Sequence, residues 1–239
     1  MNTATKIYLK KLTRRRDIWL SVLTTLPFVL FPQLDIWTSQ QFFHNEHFFL
    51  ANDFWVEVMY KIFANIQFVL IPLLLLPLIW ISVKKSNSAT LLCWRKKLLF
   101  LALCLALGPG ILVNVVLKDN SVGRPRPIQV HQFGGQSDFA PVLRYSGECR
   151  RNCSFVSGHA AIAFYFIVLA WAFRNRNLFI VGVLLGCLVG FVRIVQGGHF
   201  LSDVIFAFWA DYWTFVSIAL LFRYPLPKKC PSQCPHQFN

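Results

Sequence analysis

Arg193-Ile194-Val195-Gln196-Gly197-Gly198-His199-Phe200-Leu201-Ser202-Asp203 sets an arginine, a histidine and an aspartate inside an otherwise apolar region. A charge at the centre of a membrane helix costs about 2.5–3.5 kcal/mol, so such groups mark a task. His199 and Asp203 stand four apart, and a helix puts them on one face within side-chain reach. Arg193 lies six before His199, on the wrong side of a continuous helix. Gly197-Gly198 supplies the break that lets the chain turn and bring Arg193 round. An imidazole oriented by a carboxylate, with a guanidinium nearby, is a nucleophile facing an anion.

The surroundings are those of an integral membrane protein. Of 239 residues 56% are hydrophobic and only 14% charged, where a soluble domain averages about 25% charged. Apolar runs lie at about 18–37, 62–83, 98–117, 158–173, 178–196 and 200–222. At roughly 20 residues per crossing, an all-α bundle of six spans is expected. The fourth run is short. A long polar segment, 118–157, separates the third run from the fourth. The organisation expected is a basic segment 1–17, a membrane domain 18–222 and a tail 223–239. The first run is long and lacks a small-residue cleavage site, so no removable signal peptide is expected.

The net charge of +14 does not point to nucleic acid. The basic residues cluster between apolar runs, as a topology signal does, and no interleaved aromatic and basic surface accompanies them. Lys6–Arg16, Lys84–Lys97, Arg174, Arg176 and Arg223–Lys229 fall on one side of six crossings. That side is expected to be cytoplasmic, with both termini on it. The segment 118–157 and the Gly197-Gly198 turn then face outward.

Two further polar clusters share that outer face. Lys118–Pro127, KDNSVGRPRP, offers three cations held by prolines and a glycine. Arg forks suit phosphate oxygens and Lys adds a point charge; an interfacial loop touching anionic lipid is the alternative. Ser154–His159 opens the fourth run. Its Ser157-Gly158 pair frees backbone N–H groups at a helix start, with His159 beside them. Alone, that histidine reads as an interfacial residue, and His199–Asp203 alone could be a proton relay. Together the clusters describe phosphoryl transfer balanced by Lys and Arg. Acidic residues are too few and scattered for a two-metal centre, and Cys230 with Cys234 is a weak metal signal. No metal and no cofactor are expected.

Lys118…Arg126-Pro127, Ser157-Gly158-His159 and Arg193…His199…Asp203 resemble the three-part signature of the type 2 phosphatidic acid phosphatase (PAP2) superfamily. The third part matches in spacing. The resemblance implies a bundle of six spans with a periplasmic loop between the third and fourth, and a phosphohistidine route. It implies that His199 is the nucleophile, Asp203 its orienting partner and His159 the proton donor. It implies that Lys118, Arg126, Ser157, Gly158 and Arg193 hold the phosphate. The spacing from Lys118 departs from the family pattern, so Arg124 is the alternative to Arg126. Val156 and Val192 also stand where the family places other residues.

The flanks, including Asn114, Gly123–Pro127 and Cys149–Phe155, are similar to the lipid A phosphatases of Gram-negative bacteria, nearest the 4′-phosphatase branch. That similarity implies a lipid phosphatase of the bacterial inner membrane, facing the periplasm, with a lipid substrate. A 1-phosphatase, or an undecaprenyl-pyrophosphate, phosphatidylglycerol-phosphate or phosphatidate phosphatase, shares the chemistry. A transporter or lipid-binding protein with a His–Asp relay is the rival of another class. In an oxidising periplasm, Cys149 and Cys153 are expected to pair ahead of Ser157, with two free thiols as the alternative.

Overall fold

A computed structural model describes residues 16–84 and 88–224. The basic stretch before Arg16, Lys85, and the tail beyond Tyr224 with Cys230 and Cys234 lie outside the described residues. Helix α1 (Arg16–Leu30) meets α2 (Gln33–Gln40) at 89°. Pro32 sits at the corner, where it cannot donate to the helical ladder. Next comes a hairpin of β1 (Phe43–His44) and β2 (His47–Phe48). Its turn residues Asn45 and Glu46 have φ of 50° and 65°, as a tight two-residue hairpin turn requires.

Helix α3 (Phe54–Asn65) starts where the Asp53 carboxylate accepts the N–H groups of Trp55 and Val56 at 2.9 and 3.2 Å. It runs on into α4 (Gln67–Val83). Helix α5 (Ala89–Leu105) continues as a π-helix over Ala106–Asp119. Pro109 breaks the ladder there, and the Asn114 side-chain amide donates to the Pro109 carbonyl at 2.7 Å. Helix α6 (Gly158–Phe164), a 3-10 turn (Tyr165–Val168) and α7 (Leu169–Ala172) form one short rod. Helices α8 (Arg176–Val195) and α9 (Leu201–Leu221) close the bundle.

Among the described residues, Phe54–Val83, Ala89–Asp119, Arg176–Val195 and Leu201–Leu221 are long and apolar enough to cross a membrane. The bent α1–α2 pair makes a fifth if taken as one. The expected fourth run, Gly158–Ala172, is shorter than the roughly 20 residues of a full crossing. Two of the expected bounds also move. The first run is not straight, because Pro32 turns it. The second begins at Phe54 rather than near residue 62, because Asp53 starts the helix early.

Packing depends on small residues. Cβ atoms at Gly182, Gly186 and Gly190 would come within 2.5 Å of Ile167, 1.9 Å of Phe164 and 2.4 Å of Val204. The stripe lets α8 approach α6 and α9 closely, as small residues do in membrane bundles. Outward, Phe68, Leu73 and Leu76 of α4 are 71%, 63% and 67% exposed, a face suited to lipid rather than water. At one end of the bundle Lys96 lies over Tyr224 at 5.2 Å and Lys97 over Phe173 at 5.3 Å. The candidate site lies at the opposite helix ends.

Candidate active site

The Gly197-Gly198 turn places the imidazole. Gly197 has φ +64°, and the N–H groups of Gly198 and His199 both return to the Arg193 carbonyl, at 3.0 and 3.2 Å. A Cβ on Gly198 would lie 2.3 Å from the Arg193 guanidinium, which crosses the turn there. His199 is fully buried. Its Nδ1 lies 2.7 Å from the Ser154 carbonyl, and a carbonyl only accepts, so the proton sits on Nδ1. Nε2 is then a lone pair, with no hydrogen-bond partner among the described residues. Burial first, with the fields of Arg193 and Lys118, pulls His199 down to about 4 against the opposing pull of Asp203. The ring is neutral at neutral pH.

Asp203 stands behind that ring rather than on it. Its Oδ2 is 3.7 Å from His199 Nδ1, beyond a good hydrogen bond. The same oxygen accepts the Ser154 hydroxyl at 2.5 Å and the Phe200 N–H at 2.8 Å. The carboxylate thus caps the start of α9 and holds Ser154, whose carbonyl orients the imidazole. Sequence spacing puts Asp203 within reach of His199, but nothing in it assigns the direct contact to Ser154.

Three cations and a second histidine gather nearby. Lys118 is buried in the last turn of the π-helix. A Cβ at Gly158 would lie 3.5 Å from its Nζ and 2.5 Å from Asn114 Oδ1, so glycine opens the space between them. Ser157 caps α6 through Ala160 N–H at 3.4 Å, and its own N–H donates to the Asp203 carbonyl at 3.2 Å. Arg193 is nearly buried, donates to Gln196 Oε1, and lies over the Tyr60 ring at 4.6 Å. Tyr60 also packs on His159, with ring centroids 4.9 Å apart. Arg126 donates to the Asn152 carbonyl at 3.0 Å. Burial lowers its pKa, with Tyr60 and Asp203 opposing. Cys149 and Cys153 are joined as a disulfide, and Asn152 between them takes its N–H to Asp119 at 2.9 Å.

Arg124 goes elsewhere, which corrects its place as an alternative phosphate ligand. It is fully buried. Nη2 reaches Asp35 at 2.8 Å, Nη1 reaches Asp203 at 2.7 Å and Ser202 at 2.8 Å, and Nε donates to the Ala140 carbonyl at 2.8 Å. The ring of Phe200 lies 4.2 Å beneath. Burial weighs against its charge, yet Asp203 and Asp35 outweigh burial and raise its pKa. Asp35 is likewise fully buried. An acid within an apolar run is the signal that could have marked it.

A cavity of about 550 Å³ adjoins the cluster, lined by Lys118, His159 and Asn114 and by apolar residues such as Phe63, Leu74 and Leu105. Lys118 lies in the last turn of its helix and Leu105 several turns earlier, so the cavity runs from the Lys118 ammonium into apolar depth. Tyr60 is visible only in three dimensions. Among the described residues no three His, Cys, Asp or Glu are grouped as a metal site would need.

The PAP2 superfamily pattern matches residues 97–228. The chain is 36% identical to the lipid A 4′-phosphatase of Francisella tularensis subsp. novicida, over 82% of this chain and 90% of that one. It is 37% identical to the lipid A 4′-phosphatase of Rhizobium leguminosarum, over 60% and 64% of the two chains. It is 30% identical to the lipid A 1-phosphatase of Rhizobium johnstonii, over 62% and 61%. No solved structure matches it. A pattern covering more than half the chain, with its Lys118, His159 and His199 clusters inside that range, shows that the chain belongs to the PAP2 superfamily.

Proposed function

We propose that this protein is a lipid A phosphatase that removes the 4′-phosphate through a phosphohistidine at His199. The carrying observation is the buried His199 ring, its Nδ1 on the Ser154 carbonyl and its Nε2 unpartnered, within the fields of Lys118 and Arg193. The Francisella relative, matched over 82% of this chain, is named for the 4′ activity, and its 36% identity against 30% for the 1-phosphatase relative supports that position over the 1-phosphate.

The lipid slides in sideways, an acyl chain in the apolar cavity and the phosphate against Lys118, Arg126 and Arg193, beside Ser157 and at the N–H of Gly158. Most of the rate comes from positioning and charge neutralisation. The Nε2 lone pair attacks phosphorus, the bond from phosphorus to the sugar oxygen breaks, and His159 gives that oxygen a proton. Asp203 and Ser154 hold the imidazolium formed. Water, deprotonated by His159, then attacks phosphorus. Inorganic phosphate leaves and His199 regains its lone pair.

Residues 18–222 form the catalytic membrane domain in this reading, with both termini cytoplasmic. The bent α1–α2 pair serves as the first of six passes and the short Gly158–Ala172 rod as the fourth, buried among the others. Lys84, Lys96, Lys97, Arg174 and Arg223 gather at the cytoplasmic helix ends, as the positive-inside rule asks. The site and the Cys149–Cys153 loop then face the periplasm of the inner membrane.

Mass spectrometry of lipid A, from cells with and without the gene, tests the reading. Loss of the 4′-phosphate only when the gene is present is the expected result. Loss of the 1-phosphate would move the specificity, and an unchanged profile would remove lipid A as substrate.

A further inference from the structure

We propose that Asp35 is a positioning residue for the phosphatase reaction: by clamping Arg124 against Asp203, it fixes the carboxylate behind His199 and supplies the negative charge that offsets the phosphorylated imidazole. The inference rests on His199 being the nucleophile.

The connection is continuous. Asp35 Oδ1 accepts the Ser202 N–H at 2.9 Å, and Oδ2 accepts the Ser202 hydroxyl at 2.5 Å and Arg124 Nη2 at 2.8 Å. Arg124 Nη1 then reaches Asp203 Oδ1 at 2.7 Å. The other oxygen of Asp203 holds Ser154, whose carbonyl takes His199 Nδ1 at 2.7 Å. Asp35, Arg124, Ser202, Asp203 and His199 are all fully buried, so solvent does not screen them. Asp35 lies outside the matched family region of 97–228, on the short arm that Pro32 turns across the bundle.

Charge gives the arm its purpose. Arg124 between two carboxylates leaves the buried cluster one negative charge in excess. His199 is neutral at rest and becomes a cation once Nε2 carries the phosphoryl group. Without Asp35 the guanidinium would cancel Asp203 alone, and the intermediate would form with no net counter-charge behind it. Arg193 and Lys118, which also act on His199, are positive; Asp119 acts on Lys118, and the Tyr60 ring lies under Arg193. His159 faces the same ring from α6. Arg126 acts on Asp203 from the phosphate side.

Asp35→Asn keeps the shape of the arm and removes the charge. With lipid A, kcat is expected to fall on the order of tenfold, as for one unit charge lost in a protein interior. KM and the inhibition constant of inorganic phosphate stay within about twofold, because Asp35 does not touch the anion. Fewer negative charges disfavour imidazolium, so the acid limb of kcat/KM moves to lower pH. Asp35→Glu restores the charge and returns that limb toward the wild-type position.

Unchanged kcat, an unmoved acid limb, or a rise in KM matching the fall in kcat overturns the proposal. If Asp35→Asn does not fold, Ser202→Ala decides. It removes one hydroxyl from Asp35 while keeping every charge, so kcat drops severalfold with the limb in place, and unchanged kcat is the contrary result. Wild-type protein that releases no phosphate from lipid A defeats the substrate reading instead. Active wild type with an indifferent Asp35→Asn defeats this inference alone.

Discussion

His199 and the two arginines near Lys118 divide the labour at the residue scale. His199→Ala removes the group that bonds to phosphorus, and phosphate release should fall by roughly four orders of magnitude or more. His159→Ala should cost about 10²–10⁴. The acid limb of kcat/KM should fall near pH 4, where the buried ring takes a proton on Nε2. The same shift bears on stability. The folded pKa lies below the unfolded value of about 6.5, so the unfolded chain binds the extra proton, and stability is lost as pH falls from there through about 4. Arg124→Ala strands two buried carboxylates and should destabilise the fold by about 3–5 kcal/mol. Arg126→Ala should leave the melting temperature nearly unchanged and raise KM. Thermal unfolding beside initial-rate kinetics separates the two. Had the arginines exchanged roles, the two phenotypes would be swapped.

Elements carry these side chains, and their legibility differs. The His199–Asp203 spacing is readable because helical periodicity fixes it, and the Gly197-Gly198 break is readable because glycine takes a positive φ at least cost. The choice between Arg124 and Arg126 is not. Both lie in one proline-rich loop, and what fixes Arg124 is Asp35, 89 residues away. The corner at Pro32 and the early start at Asp53 escape a count of apolar residues. Each is set by one residue, Pro32 through its missing N–H and Asp53 through its side-chain cap, yet together they deliver Asp35 and Tyr60 to the site. Ser154 orients the imidazole through its carbonyl, which every residue has, so no residue type announces it. The α8 stripe gives a packing test. Gly186→Ala drives a methyl into Phe164, and overpacking should cost about 1–3 kcal/mol in unfolding measurements. The loop gives another. Intact mass should rise by two hydrogens on reduction of Cys149–Cys153, and replacing both by Ser should cost about 2 kcal/mol.

At the scale of the whole molecule, polar chemistry sits where helix ends meet and apolar faces look outward. Among the described residues, four long rods, a bent arm and a short buried rod form a frame with Lys118, Arg126 and Arg193 at one end and lysines over aromatic rings at the other. The frame explains how an anion on a greasy tail reaches a nucleophile: the cavity is apolar in depth and cationic where Lys118 lines it. A lipid phosphate monoester should be turned over far better than a soluble phosphate ester of the same leaving group, since the soluble ester leaves the apolar depth unused. Matched assays of the two read this as a ratio of kcat/KM, and equal ratios would count against the cavity. The most direct measurement of the central claim is phosphate release from lipid A by purified wild-type protein beside folded His199→Ala. The account predicts release of the 4′-phosphate by the first and none above background by the second. Comparable release by both would contradict it.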